Sequence, residues 1–241
     1  MAAERRTPRR ALAALALAGA VALGACGGSD DGGGATGGTS GAGGDDGCPP
    51  AATSSTTPDG GTAAREVTRS FDAAPPSCLD PDASYSATLT TSLGELTIDL
   101  DQAAAPLAVN NFVFLARHGY YDGTVCHRVI QGFVVQCGDP TATGTGGPGY
   151  TFADELPAEG AYELGSVAMA NSGPDTNGSQ FFVISGPSGE ALPPLYSLFG
   201  QVTEPGLAVV AEMDAVGSTD PSGRTSQEVR IERVTITETP A

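Results

Sequence analysis

Residues 126–140 read CHRVIQGFVVQCGDP, and this stretch decides how the rest of the chain is interpreted. Two runs rich in strand-forming residues flank Gln131-Gly132, a pattern typical of a β-hairpin. If the runs pair around that dipeptide, Cys126 lies opposite Cys137, close enough for a cross-strand disulfide. Two buried thiols are the alternative.

The hairpin also predicts which side chains share a face, because successive residues of a strand point to opposite sides. The first strand carries on one side Cys126, Arg128 and Ile130. The second strand carries on one side Phe133, Val135 and Cys137, and on the other Val134 and Gln136. Neighbouring Cys126 and His127 then point apart, so we expect no metal site here.

The N-terminus has the features of an export signal. Four arginines, Arg5, Arg6, Arg9 and Arg10, precede ALAALALAGAVALGA, an apolar run of 15 residues. A membrane span needs about 20 residues, so the run fits a secretory signal better. The segment LGAC that ends at Cys26 resembles a bacterial lipobox. We therefore predict a lipoprotein signal peptide over residues 1–25, lipidation of Cys26, and a protein anchored to the outer face of the cell membrane. An ordinary signal peptide with a nearby cysteine is the alternative.

Residues 26–76 consist mostly of Gly, Ser, Thr, Ala, Asp and Pro. A segment with so little to bury does not offset its loss of conformational entropy on folding, which predicts a disordered tether. Residues 77–241 then form one folded domain, long enough for a proper core.

Charge narrows the range of partners. Removing Glu4 and the four N-terminal arginines from the 28 acidic and 11 basic residues leaves 27 and 7, a net charge of −20. Nucleic acids and anionic membrane surfaces are poor partners for such a domain.

The number of cysteines indicates that they form disulfide bonds. Besides Cys26 there are four, an even number that favours disulfides in an exported protein: Cys48, Cys78, Cys126 and Cys137. They allow three pairings, and a Cys126–Cys137 bridge would leave Cys48 with Cys78.

Short β-like runs dominate the domain, with two helical patterns between them. Residues 85–100 predict a hairpin, and residues 228–239 a final strand. Pro106 and the apolar spacing after it predict a helix over 104–117, and residues 206–216 a second one. Many short strands with two helices are typical of an antiparallel barrel or sandwich.

Two motifs of other enzyme classes can be looked for in the sequence, and the sequence supports neither. Residues 144–149 match GxGxxG, but Pro148 and the absence of a βαβ unit indicate a glycine-rich surface loop instead of a dinucleotide site. A Ser-His-Asp triad would need His118 or His127, and no GxSxG elbow is present.

Several segments in order resemble the cyclophilins, the peptidyl-prolyl cis–trans isomerases: NNFVFLARHGYYDGT, HRVIQGFVVQCGD, AMANSGPDTNGSQFFVI and LFGQV. The resemblance covers about residues 85–236. It implies a mainly β fold, an eight-stranded antiparallel closed β-barrel capped by two α-helices. It also implies an enzyme that accelerates rotation about Xaa-Pro bonds and assists the folding of exported proteins.

The resemblance carries functional roles onto individual residues. The catalytic pair is Arg128 with Gln136, the residue that braces it. The substrate-binding positions are Phe133, Val134, Ala170, Asn171, Gln180, Phe182, Leu192 and Tyr196. No metal or cofactor is implied, and the expected partners of this monomer are proline-containing peptides and unfolded exported proteins. A chaperone or binding module that holds Pro-containing segments with little turnover is the alternative.

Three positions depart from the family pattern. Val134 stands where the family often has Met, and Tyr196 where many members have His. The chain contains no Trp, so the cavity-edge tryptophan of many eukaryotic members is missing and one contact for tight cyclosporin binding is lost.

Overall fold

A computed structural model describes residues 48–49 and 67–241. The predicted signal peptide, Cys26 and most of the predicted tether lie outside these residues. The strands are β1 (Ser84–Thr91), β2 (Gly94–Leu100), β3 (Thr124–Val125), β4 (Arg128–Ile130), β5 (Val134–Cys137), β6 (Ser166–Met169), β7 (Phe181–Ile184), β8 (Leu198–Val202) and β9 (Arg230–Thr239). The helices are α1 (Pro106–Arg117), α2 (Pro187–Glu190) and α3 (Leu207–Ala215).

All nine strands belong to one antiparallel sheet in the order β3-β9-β1-β2-β8-β6-β7-β5-β4. The two end strands are consecutive in the chain, since only Cys126 and His127 separate β3 from β4. The sheet therefore curls until its ends come together, which confirms the predicted mainly β, barrel-like fold. The first strand of the predicted hairpin is broken before Arg128, and β3 precedes the break. The described residues therefore contain nine short strands, whereas the resemblance implies eight. Residues of the 218–223 loop bond to β4 at this junction: Val129 N–H donates to the Gly223 carbonyl at 2.9 Å.

The register of the β4–β5 hairpin differs by one residue from the prediction. Arg128 pairs with Gln136, and Ile130 with Val134. A turn of three residues instead of two causes the shift: it centres on Gly132, whose φ of 70° favours glycine. Cys126 lies before β4 begins and is buried in the main core. Contrary to the prediction, it does not share a face with Arg128.

The sheet buries both of its faces around the hairpin. Along β5, Val135 and Cys137 belong to the main core, whereas Val134 belongs to a second, smaller cluster with Phe182. Strand β7 alternates in the same way: Phe181 lies in the main core and Phe182 in the second cluster. Runs such as FVV and FFVI are thus apolar throughout because each face is covered. Phe133 contradicts its predicted face: it lies in the turn and packs against the second cluster.

The two predicted helices correspond to α1 and α3, whereas the short helix α2 was not predicted. Pro106 occupies the first turn of α1, and Gly119, with a φ of 67°, follows its end. Helix α1 packs on β8 and β9, and α3 on β2, β4 and β5. Val210 and Met213 of α3 are buried, as their helical spacing predicts. No helix within the described residues is long and apolar enough to cross a membrane.

Residues 67–76 correct the predicted boundary of the tether, because they pack on the domain. Phe71 lies with its ring centroid 5.1 Å from that of Phe114, and Thr68 N–H donates to the His118 carbonyl at 3.1 Å. Composition predicts disorder here because a single aromatic residue in a polar segment is a weak signal. The site that Phe71 occupies is built by residues far away in the chain, among them Phe114 and Tyr150.

Both cysteine pairs lie at bonding distance. The sulfur atoms of Cys126 and Cys137 are 2.02 Å apart, and those of Cys48 and Cys78 are 2.12 Å apart. Cys126 and Cys137 are also almost fully buried in the main core, beside the junction of β3 and β4. A bridge there would tie the start of β4 to the end of β5.

We predict that peptide mapping without reductant recovers Cys126 linked to Cys137 and Cys48 linked to Cys78. Replacing Cys126 and Cys137 together by Ala should lower the free energy of unfolding by about 2–4 kcal/mol, because a cross-link restricts the unfolded chain. Urea denaturation of both forms measures this loss. Alkylation of free thiols at Cys126 and Cys137 in the native protein would contradict the pairing.

Candidate active site

A cavity of about 210 Å³ opens on the outer face of the sheet, beside the β4–β5 hairpin. Nine of the ten predicted catalytic and substrate-binding residues line it: Arg128, Phe133, Val134, Gln136, Ala170, Asn171, Phe182, Leu192 and Tyr196. The tenth, Gln180, hydrogen-bonds to Gln136 and lines an adjoining cavity. The structure therefore brings together residues spread over almost 70 positions of the chain.

A row of hydrogen bonds holds the guanidinium of Arg128. Its Nη1 donates to Gln136 Oε1 at 3.3 Å, and Gln136 Nε2 donates to Gln180 Oε1 at 3.0 Å. Gln180 Nε2 in turn donates to the Gly146 carbonyl at 2.9 Å. Gln136 thus braces the arginine as predicted, and it needs only one of the five N–H donors that a guanidinium carries.

The stem of Arg128 is held by a residue that the sequence analysis missed. Gly223 packs so closely that a Cβ there would lie 2.5 Å from Arg128 Cγ, and its φ is 64°. Only glycine fits this position without displacement. On the other side, Arg128 Cζ lies 5.9 Å from the centroid of the Phe133 ring. The charged head is thereby kept at the rim of an apolar cavity.

Apolar side chains form the floor and walls of the cavity. Phe182 and Val134 are 5% and 2% exposed, and the Phe182 ring meets Tyr196 edge to face at 5.3 Å. Tyr162, another residue that the sequence analysis missed, fixes Tyr196 from behind: its hydroxyl donates to the Tyr196 carbonyl at 2.7 Å and accepts from the Tyr196 N–H at 3.1 Å. A rigid apolar recess of this kind suits a small saturated ring.

A second cavity, of about 370 Å³, adjoins the first and shares Gln136, Ala170 and Asn171 with it. Residues 144–151 form one of its walls. The GxGxxG match is a loop, as predicted, since no helix opens at Gly149. Its position at a cavity, however, could not be inferred from the glycines, because the strands that face it come from elsewhere in the sequence.

Asp139 organises this glycine loop. Its buried carboxylate accepts the backbone N–H groups of Thr141, Thr143, Gly144 and Gly146, at 2.7 to 3.2 Å. Burial alone would raise the pKa of Asp139, but the hydrogen bonds from Thr141, Gly146 and Gly144 outweigh it and lower the pKa to about 2. Asp139 thereby fixes Gly146, the residue whose carbonyl ends the row from Arg128. An Asp followed by small residues is a common turn signal, but the sequence does not show that its carboxylate binds backbone groups as far along the chain as Gly146.

His127 is not among the residues that line the two cavities. Burial lowers the pKa of the imidazole, and the charge of Arg128 acts in the same direction against Asp139. The ring is therefore neutral at pH 7. Within the described residues neither ring nitrogen has a hydrogen-bond partner. In the described part of the chain, no group of three or more His, Cys, Asp or Glu side chains is arranged to hold a metal ion.

The family model for the cyclophilin type peptidyl-prolyl cis-trans isomerases matches residues 86–236 of the chain. The chain belongs to the cyclophilins. It is a peptidyl-prolyl cis–trans isomerase, which confirms the interpretation drawn from its motifs.

Relatives of this cyclophilin occur in distant organisms. A probable peptidyl-prolyl cis-trans isomerase A of Mycobacterium leprae is 42% identical over 166 residues, 62% of this chain and 91% of that protein. A probable isomerase B of the same species is 40% identical over 170 residues, which are 64% of this chain and 57% of the relative's length. A crystal structure of a Cryptosporidium parvum cyclophilin, in the presence of the dipeptide Ala-Pro, is 33% identical with a TM-score of 0.58. The match covers 63% of this chain and 98% of that one.

We predict that Asp139→Asn lowers the free energy of unfolding at pH 7 by roughly 1.5–3 kcal/mol, the usual worth of hydrogen bonds to a charged group. Since the pKa in the folded state is about 2, below the ordinary 3.8, folding favours the ionised carboxyl. Its contribution is complete above about pH 4 and disappears as the pH falls towards 2. Urea denaturation from pH 2 to 7 should show the two proteins converging at low pH.

The exposed Asp99 offers a matched control. Asp99→Asn should leave the free energy of unfolding almost unchanged across the same range of pH. A gap between wild type and Asp139→Asn that stays constant down to pH 2 would contradict the role of the ionised carboxylate.

Proposed function

We propose that this cyclophilin accelerates rotation about Xaa-Pro bonds of exported proteins, and that Arg128 is the group that lowers the barrier. The observation that carries the proposal is the position of Arg128. Its guanidinium is held by Gln136 at the edge of an apolar cavity, within reach of a ring seated on Phe182. The related Cryptosporidium structure, obtained with Ala-Pro, supports a proline-containing peptide as the ligand.

The chemistry needs only this arrangement. An amide resists rotation because its nitrogen donates a lone pair into the carbonyl, which gives a barrier of about 18–20 kcal/mol. Twisting the bond makes the prolyl nitrogen pyramidal and frees the lone pair. An N–H of Arg128 can donate to this nitrogen only in the twisted state, so it stabilises the transition state more than either ground state.

The other residues restrain the substrate during the rotation. Phe133, Val134 and Phe182 would hold the pyrrolidine ring while the preceding carbonyl swings. Ala170, Asn171 and Gln180 would hold the peptide backbone along the rim. A guanidinium suits the site because it stays charged and its donors form a rigid fork. Proton transfer, a nucleophile and a cofactor play no part in this scheme.

Arg128→Ala tests the assignment. We expect the catalysed cis–trans exchange of a capped Ala-Pro peptide, measured by NMR exchange spectroscopy, to fall about 10²- to 10³-fold, the usual cost of removing one donor to a transition state. Arg128→Lys should recover only part of the rate, because an ammonium lacks the fork. Arg233→Ala, at an exposed position of β9, should keep the full rate.

The same experiment separates the enzyme from a module that only holds proline segments. A holding module would bind the peptide without accelerating its cis–trans exchange. Changes in the NMR chemical shifts of Phe182 would show that binding. Exchange in the presence of wild type that is no faster than in buffer would therefore overturn the proposed catalysis. A full rate in Arg128→Ala would overturn the role of the arginine.

We further propose that the domain is a monomer anchored through Cys26 to the outer face of the cell membrane. The lipobox-like LGAC and the acidic domain support a contact made by lipid and not by the protein surface. Cys26→Ala should move the protein from the membrane fraction to the soluble fraction, since the acceptor of the lipid is lost. Retention of Cys26→Ala in the membrane fraction after a salt wash would contradict the anchor.

A further inference from the structure

The segment 67–72, here called the strap, crosses the back of the glycine loop that walls the second cavity. It precedes the region matched by the cyclophilin family model, which begins at residue 86. Three of its residues carry the hydrogen bonds and ring contacts that attach it: Thr68, Arg69 and Phe71. The strap thus lies outside the matched region, behind part of the site.

Two of the three residues fasten the strap to the segment after α1. Thr68 N–H donates to the His118 carbonyl at 3.1 Å. Arg69 donates through Nη1 to the Tyr120 carbonyl and through Nη2 to the Asp122 carbonyl at 2.6 Å. The Arg69 guanidinium also lies 5.9 Å from the centroid of the Tyr120 ring. The attachment is therefore directional and does not depend on apolar contact alone.

Phe71 connects the strap to the glycine loop. Its N–H donates to the Pro148 carbonyl at 2.8 Å, and a Cβ at Gly149 would lie 2.5 Å from the Phe71 carbonyl oxygen. Gly149 has a φ of 103°, which only glycine adopts readily. The Phe71 ring packs between those of Phe114, 5.1 Å away, and Tyr150, 6.4 Å away. The loop and the strap fit against each other at van der Waals distance.

The opposite side of the same loop faces the second cavity. Pro148, Gly149 and Tyr150 all line it. Tyr150 is also tied to α1, because its hydroxyl donates to Asn111 Oδ1 at 2.7 Å and Asn111 Nδ2 donates to the Gly178 carbonyl at 2.8 Å. The loop is therefore held both by this pair of bonds and by Phe71.

We propose that Phe71 is a positioning residue for substrate recognition, which holds the wall of the second cavity in the shape that binds the part of a peptide flanking Ala-Pro. The inference rests on the proposed function. The two cavities share Gln136, Ala170 and Asn171, so an extended peptide with proline in the first cavity continues into the second. Phe71 meets the loop at Pro148, Gly149 and Tyr150. Gly146, where the row from Arg128 ends, is held separately by Asp139, so we expect the rotation step itself to be unchanged.

The test compares a long and a short substrate on the whole protein. A capped hexapeptide with Ala-Pro at its centre reaches the second cavity, whereas a capped Ala-Pro dipeptide fills only the first. Phe71→Ala should weaken binding of the hexapeptide about 3- to 10-fold, corresponding to roughly one hydrogen bond or less. The exchange rate of bound hexapeptide and all constants for the dipeptide should stay within twofold. NMR titration gives the affinities, and exchange spectroscopy gives the rates.

Two further variants separate positioning from general stability. Phe71→Leu keeps an apolar side chain against Phe114 and should restore most of the affinity. Val67→Ala alters the strap at a position that is 44% exposed and should change nothing. Unchanged hexapeptide affinity in a folded Phe71→Ala protein, or an equal loss for both peptides, would overturn the inference. Failure of the proposed function would differ, because wild type would bind both peptides without accelerating their exchange.

Discussion

A guanidinium is mobile unless hydrogen bonds restrain it, and the catalysis proposed for Arg128 requires both restraint and free donors. The β4–β5 hairpin meets this constraint by placing Gln136 directly across from Arg128. Gln136 takes one donor and passes the restraint on to Gln180 and to the carbonyl of Gly146. The carboxylate of Asp139 then fixes Gly146 through its N–H. The position of one charge is in this way coupled to the conformation of a loop on the far side of the site.

The sheet makes such a site possible because its strands are buried on both faces. Val135 and Phe181 fill the main core, while their neighbours Val134 and Phe182 face outward and floor the cavity. The same short strands therefore supply the stability of the barrel and the recess for a proline ring. An outward apolar floor alone would be an exposed patch. Here Tyr196, held by Tyr162, and Leu192 wall it in.

Parts of the chain outside the common fold contribute to the finished domain. The strap packs Phe71 behind the glycine loop, and Cys48 lies at bonding distance from Cys78. The composition of this region predicts a tether because most of its residues are small or polar. A few well-placed groups, namely one aromatic ring, one guanidinium and a pair of sulfur atoms, are enough to attach it. Sequence averages do not resolve contributions that are so localised.

The sequence by itself determined the alternation of apolar residues and the helices α1 and α3, because these depend on local periods. Its motifs, through their resemblance to the cyclophilins, indicated the family and the nine residues that line the first cavity. The sequence placed Phe133 on the wrong face because Phe133 belongs to a turn of three residues instead of two, which also shifts the strand pair by one position. It placed Cys126 on the wrong face because the strand is broken between β3 and β4. Only the tertiary structure decided that register and three contacts: the hydrogen bonds from the glycine loop to Asp139, the packing of Gly223 against Arg128, and the packing of Phe71 against Phe114. Each is a contact between residues distant in the chain, and its strength depends on distances of a few tenths of an ångström that no local pattern encodes.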